Sequence, residues 1–357
     1  MTILLFLAGL ALLILGAELL VRGASRLSLS LGIAPLVVGL TVVSFGTSAP
    51  ELAISIKAAM DGQTDLALGN VVGSNIFNIL FILGLSALVA PLVVDRQLIR
   101  QEVPILLGLC LLVGWMALDR SVSFGDGLVL VALLFAYVGL LYYIGRSSPA
   151  SDMDDAMVTG TASPWLSKLW VQLLLIVVGL AMLVVGSRWL VQSATVFATM
   201  LGVSQLVIGL TIVAAGTSLP EVATSVIAAA RGEREIAVGN VMGSCIFNLV
   251  CVLGISALVA PGGLQVPAAL LAFDLPVMFA VSLACLPVLF TGHLIARWEG
   301  ALFLAYYVFY TVYLVLWAQD HDSLDEYSWV MRTVVIPLTA ITLGVVTWRE
   351  LHKRRRA

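Results

Sequence analysis

Charge is what this sequence has least of. Only 11% of its 357 residues are Asp, Glu, Lys or Arg, against about 25% in a soluble domain. That scarcity excludes a soluble globular chain. Histidine is almost absent, with three residues (His293, His321, His352), all in loops or the tail. The four cysteines (Cys110, Cys245, Cys251, Cys285) fall inside apolar runs. No disulfide framework or soft-metal spacing emerges from them, and they read as small packing residues. No HExxH, paired intramembrane Asp or Ser/His constellation is visible, which disfavours a membrane enzyme. The net charge of −3 says little about partners.

What the chain has is hydrophobic length. It is 61% hydrophobic, with a mean hydropathy of +1.09. Runs long enough to span a bilayer, about 20 residues each, fall near 2–21, 33–60, 66–90, 102–118, 124–144, 168–191, 203–230, 236–260, 267–291, 298–317 and 329–347. These are helical lengths, not the alternating ten-residue strands of a barrel. The first run lacks preceding basic residues and a small-residue cleavage site, so it reads as a retained helix.

A stretch near the start recurs 170 residues later without a gap. Residues 39–91 and 209–261 share 31 identities in 53 positions. The matches include Glu51 with Glu221, Asn70 with Asn240, Ser74 with Ser244 and Asn78 with Asn248. Carboxylates and amides inside apolar runs are costly and usually functional. Five spans separate equivalent points, and an odd number inverts the second copy. The fold expected is an all-α polytopic membrane protein: two inverted five-helix repeats plus one extra C-terminal transmembrane helix. The repeats would occupy 1–144 and 168–317. Between them lies a Ser-, Asp-, Gly- and Pro-rich linker, 145–167. Residues 318–357 would hold an acidic loop, span 11 and a basic tail. Inverted repeats with polar residues at matching depth are the pattern of a secondary transporter.

Lys and Arg accumulate on the cytoplasmic side of membrane proteins. With the N-terminus outside, only Lys57, Arg120, Arg188 and Arg332 of the 18 lie on the outer side. The expected location is a cytoplasmic (inner or plasma) membrane, with the linker and C-terminus inside.

Chemistry concentrates in GTSAPE (46–51) and its copy GTSLPE (216–221). Pro50 cannot donate to the carbonyl of Gly46, so the helix should break there. Carbonyls freed at membrane depth must face protein, water or an ion. Thr47 and Ser48 add hydroxyls, and Glu51 a carboxylate. In the next span Asn70, Ser74 and Asn78 share one helix face, as do Asn240, Ser244 and Asn248. Gly69 with Gly73, and Gly239 with Gly243, should allow close helix approach. Such an oxygen-rich set suits Ca²⁺, Mn²⁺, Mg²⁺ or Na⁺ rather than zinc or copper. Glu18 and Arg188, at equivalent repeat positions, read as interfacial anchors, and Asp274 as an interfacial residue.

GTSxPE followed by GNxxGSxIxN, in two copies, resembles the α-repeats of the cation/Ca²⁺ antiporter superfamily, its prokaryotic sodium/calcium exchanger branch above all. The resemblance implies exchange of Ca²⁺ for Na⁺ by alternating access, with spans 1 and 6 moving across the other helices. By it, Ca²⁺ would be held by Glu51 and Glu221 with the carbonyls of Thr47 and Thr217. Na⁺ would use carbonyls at Ser44 and Ala214, with Ser48, Ser218, Ser74 and Ser244, and Asn78 and Asn248 would line the centre. Some members of the superfamily carry an Asp where this chain has Asn78 or Asn248. A Ca²⁺/H⁺ or other cation/H⁺ exchanger is the alternative. Inorganic cations and the lipid bilayer are the expected partners, with no nucleic acid and no resident cofactor.

Overall fold

The computed structural model describes residues 2–147, 168–201, 212, 214–290, 293–319, 321, 323–342 and 344. Nearly all of the linker, the first half of span 7 and the basic tail therefore lie outside the described residues. The first repeat comprises α1 (Thr2–Leu31), a bent span made of α2 (Pro35–Thr47) and α3 (Ala49–Met60), α4 (Thr64–Val89), α5 (Leu98–Asp119) and α6 (Phe124–Ser147). The second comprises α7 (Leu169–Met200), α8 (Ala214–Gly216), α9 (Leu219–Ala230), α10 (Arg234–Val259), α11 (Leu270–Leu289) and α12 (Arg297–Ala318). Beyond the repeats a further helical segment, α13 (Leu324–Val330), continues through a π-turn at Met331–Val335. The first helix runs ten residues past the end expected from hydropathy. On its inner face Gly23, Ala24, Leu27 and Ser28 are buried, while Arg22 is exposed.

The neighbour of α1 is α7, and glycines seat the two helices against each other. Gly9 faces Gly186 and Gly16 faces Gly179. A Cβ at any of the four would lie 2.7–2.9 Å from the opposing glycine's carbonyl oxygen. Only glycine allows such backbone approach, the general device for helix contact in membranes. As the number rises in α1 it falls in α7, so the pair is antiparallel. Because α1 and α7 are equivalent helices of the two repeats, their antiparallel packing is the inversion itself.

Two-residue strands tie the helix ends, a feature hydropathy does not signal. β1 (Leu92–Val93) pairs antiparallel with β4 (Leu294–Ile295), and β2 (Ser121–Val122) with β3 (Leu264–Gln265). Each clip joins one repeat to the other, and the pseudo-twofold axis exchanges the clips.

The duplicated polar helices form the centre. In their most apolar windows α10 is 89% buried and α4 78%, against 28% for both α1 and α7. Lipid faces the rest: Leu4, Leu7, Phe135, Trp170 and Val177 are large, apolar and exposed. Gly239 and Gly243 abut α2, where a Cβ would come within 2.8 Å of the carbonyl oxygens of Leu36 and Leu40 respectively. A Cβ at Gly69 or Gly73 meets nothing within 4 Å among the described residues. The expected close approach is thus seen for Gly239 and Gly243, while the segment equivalent to α2 in the second repeat lies largely outside the described residues.

Candidate cation site

The first bent span turns by 45° between α2 and α3. Ser48 sits at the break with φ −78° and ψ 4°, and Pro50 starts the new helix, where its missing N–H is tolerated. Ser218 (φ −89°, ψ 10°) and Pro220 repeat the arrangement before α9. Each break places a carboxylate, Glu51 or Glu221, in the first turn of the following helix, where the helix dipole favours negative charge.

The two breaks are joined across the pseudo-twofold. Ser218 Oγ donates to Glu51 Oε1 at 2.8 Å, and Ser48 Oγ donates to Glu221 Oε1 at 3.2 Å. Ser218 Oγ also lies 3.3 Å from Ser74 Oγ. Each carboxylate therefore has one oxygen engaged by a hydroxyl of the other repeat. The second oxygens, Glu51 Oε2 and Glu221 Oε2, are buried without a hydrogen-bond partner among the described residues. Asn78 Oδ1, Asn248 Oδ1 and Ser244 Oγ are buried and unpartnered too. Orphan oxygens of this kind are rare in proteins, because each carries a desolvation cost. Four of these five come in matched pairs, and Glu51, Glu221, Asn78 and Asn248 are each 1% exposed.

Asn70 and Asn240 are braces. Asn70 Nδ2 donates to the backbone carbonyl of Glu51 (3.2 Å) and to Ser55 Oγ (2.8 Å), while its Oδ1 accepts from Thr217 Oγ1 at 3.4 Å. Asn240 does the same with Glu221 O (3.5 Å), Ser225 Oγ (2.9 Å) and Thr47 Oγ1 (3.1 Å). The threonine hydroxyls thus bind the amides of the opposite repeat. Ser44 Oγ donates to Leu40 O at 2.7 Å, and its own carbonyl accepts from Ser48 N (3.0 Å) and Thr47 Oγ1 (3.3 Å). Ala214 opens α8. We expect Asn240→Ala to leave the Glu221 carbonyl and the Ser225 and Thr47 hydroxyls short of a partner, at about 1–3 kcal/mol. Thermal unfolding in detergent should show a lowered midpoint. An unchanged midpoint would mean the amide braces nothing.

Both asparagines of the centre stand at the start of a π-turn, Asn78–Leu83 and Asn248–Val252. Single π-turns inside α-helices are frequent at functional sites. Asn248 Nδ2 donates to Asn75 Oδ1 at 3.2 Å. Asn75 is fully buried, and repeat matching misses it because its counterpart is Cys245.

Two further acids pair with tyrosines. Asp274 accepts from Tyr310 Oη at 2.8 Å, which joins α11 to α12. Glu102 is its counterpart, 1% exposed, and accepts from Tyr137 Oη at 2.8 Å. Glu18 pairs with Arg22 and with Arg231 of the α9–α10 turn.

Two broken helices meeting head to head, with carboxylate, hydroxyl and amide oxygens at membrane depth, define a secondary transporter of hard cations. Among the described residues no group of three His, Cys, Asp or Glu side chains gathers to hold a metal; two carboxylates and neutral oxygens suit an ion that is bound and released.

The comparisons with known proteins agree. The family model described as "Sodium/calcium exchanger protein" matches residues 1–143 and 171–316, and the chain belongs to that family. It is 35% identical over 351 residues to the "Sodium/calcium exchanger MaX1" of Methanosarcina acetivorans, covering 87% of this chain and 97% of that protein. It is 40% identical over 259 residues to the "Inner membrane protein YrbG" of Escherichia coli, covering 72% and 80%. A solved structure of the sodium-calcium exchanger NCX_Mj superposes with a TM-score of 0.73 at 32% identity, covering 86% of this chain and 96% of that one.

Proposed function

We propose that this chain exchanges Ca²⁺ for Na⁺ across a cytoplasmic membrane by alternating access, at a shared site centred on Glu51 and Glu221. The observation that carries the reading is the pair of half-bonded carboxylates, each with one buried oxygen left without a partner among the described residues. Ca²⁺ would take those oxygens with the carbonyls of Thr47 and Thr217. Na⁺ would use the carbonyls of Ser44 and Ala214 and the hydroxyls of Ser48, Ser218, Ser74 and Ser244, with Asn78 and Asn248 lining the centre. The Ser44 carbonyl accepts two hydrogen bonds in this conformation, from Ser48 N and Thr47 Oγ1. Exchange follows from competition: both ions need the same two charges, so binding of one expels the other. The glycine-seated pair α1 and α7 is the element that would slide.

The test is flux of ⁴⁵Ca²⁺ into proteoliposomes under imposed Na⁺, K⁺ or H⁺ gradients. We expect Na⁺ to drive it. Flux driven by H⁺ alone would replace this reading with cation/H⁺ exchange.

The charge bias supports an outside N-terminus, with the 145–167 linker as the cytoplasmic boundary between repeats 1–144 and 168–317. A cysteine placed at position 152 should be labelled by an impermeant thiol reagent only after the cells are opened. Labelling from outside intact cells would reverse the orientation.

A further inference from the structure

The 170-residue offset that relates the repeats carries Glu18 onto Arg188 and Asp61 onto Arg231. The pair Glu18–Arg231 therefore has a counterpart, Arg188–Asp61, with the charges exchanged. Both join a sliding helix to the turn that follows a broken span. One lies on each side of the membrane, because the repeats are inverted.

In this structure the first pair is closed. Arg231 grips Glu18 with two hydrogen bonds, Nη2 to Oε1 at 2.7 Å and Nε to Oε2 at 2.8 Å, and Arg22 reinforces it. Beside it Ser25 Oγ donates to Glu233 Oε1 at 2.6 Å. The Glu18 side chain is only 15% exposed, and a forked arginine contact has defined geometry. The second pair is open: Arg188 and Asp61 are exposed and form no ion pair among the described residues. The counterparts of Ser25 and Glu233 are Thr195 and Gln63, again a hydroxyl with an acceptor, and again not joined among the described residues. The packing has the same asymmetry. α1 lies along α9, whereas α7 makes no comparable contact with α3.

We propose that Glu18–Arg231 and Asp61–Arg188 are reciprocal ionic latches that close in alternation. Each latch holds α1 and α7 at one end of their travel. This structure is the state with the Arg231 latch closed and the Arg188 latch open. Exposed ion pairs are individually weak, so each latch biases the access equilibrium by roughly two- to tenfold rather than locking it. The proposal rests on the alternating-access reading above.

The test uses two double variants, Glu18→Cys with Arg231→Cys and Asp61→Cys with Arg188→Cys. A short reversible bifunctional thiol reagent is applied to the full-length chain in proteoliposomes, since an ion pair is wider than a disulfide spans. The four native cysteines are buried. We expect both pairs to cross-link, although the second is apart here. Each cross-link should lower Ca²⁺ flux at least tenfold, with recovery on reduction. A chain carrying all four substitutions should acquire one bridge per molecule, never both, by mass. The idea fails if the Asp61/Arg188 pair never bridges under Na⁺, under Ca²⁺ or without either. It also fails if bridged protein keeps full flux, or if one molecule carries both bridges. Should a cysteine variant not fold, the charge swap decides. Arg188→Asp alone should slow exchange, and adding Asp61→Arg should restore it; no restoration sinks the latch. If the bridges exclude each other but Na⁺ drives no Ca²⁺ flux in the parent, the latches stand and the exchange reading falls.

Discussion

Replacing Glu51 by Gln, or Glu221 by Gln, is expected to abolish Ca²⁺ transport while leaving the fold in place. The amide has the shape of the carboxylate, and its oxygen still accepts from Ser218 or Ser48. What changes is the second atom. Where Glu51 Oε2 or Glu221 Oε2 now lies buried without a partner, glutamine presents an N–H donor to a cation. One of the two balancing charges is also lost. Removing one member of a buried charge pairing costs about 3–5 kcal/mol. Three kcal/mol is already a loss of roughly two decades in affinity. We therefore expect ⁴⁵Ca²⁺ flux in either variant to fall to background, with the unfolding temperature held or raised. A rise would follow from relief of a buried uncompensated carboxylate, which destabilises the empty protein. Near-parental flux in either variant would remove that residue from the site.

The second large effect is expected at the glycine seam. A Cβ at Gly179 would sit 2.7 Å from the carbonyl oxygen of Gly16 and from the backbone nitrogen of Leu20. Backbone atoms cannot swing aside as a flexible side chain would, so α1 and α7 must separate. Gly179→Leu should thus cost stability, by about 1–3 kcal/mol for overpacking, and stop exchange by holding the seam open. The control is Gly139→Ala on α6, where a Cβ meets nothing within 4 Å. Alanine is the better helix former by about 1 kcal/mol, so that change should preserve flux and hold or raise the melting temperature. Equal flux and melting temperature in the two variants would show that the seam is not a close-packed contact.

The duplication made most of the centre legible before any coordinates. Pro50 and Pro220 announce the breaks, and a carboxylate appears twice inside apolar sequence for no structural reason. Other features stayed hidden because they are relations between distant segments. Nothing local in Glu18 points to Arg231, 213 residues away; only the inverted packing of α1 brings them together. Glu102 with Tyr137, and Asp274 with Tyr310, lie outside the strongly matched segments, so the repeat does not point to either contact. Thr47 and Thr217 suggested ion ligands through their hydroxyls, yet those hydroxyls hold the asparagines of the opposite repeat. Asn75 escaped for the opposite reason: a method that looks for matched pairs cannot find an unmatched residue.

That unmatched residue has a consequence. Asn248 is tethered through its amide to Asn75, but the position related to Asn75 by the pseudo-twofold is occupied by the thiol of Cys245, which lies 3.9 Å from the Asn75 carbonyl oxygen. Perfectly duplicated halves would make the two end states of the cycle isoenergetic by symmetry, and the empty carrier would rest on neither side. A single amide facing a thiol removes that degeneracy at the centre of the molecule. That pair is one of the 22 positions, 53 less 31, at which the matched segments have diverged, and a swap of Asn75 and Cys245 would reverse its own contribution to the resting bias of the carrier.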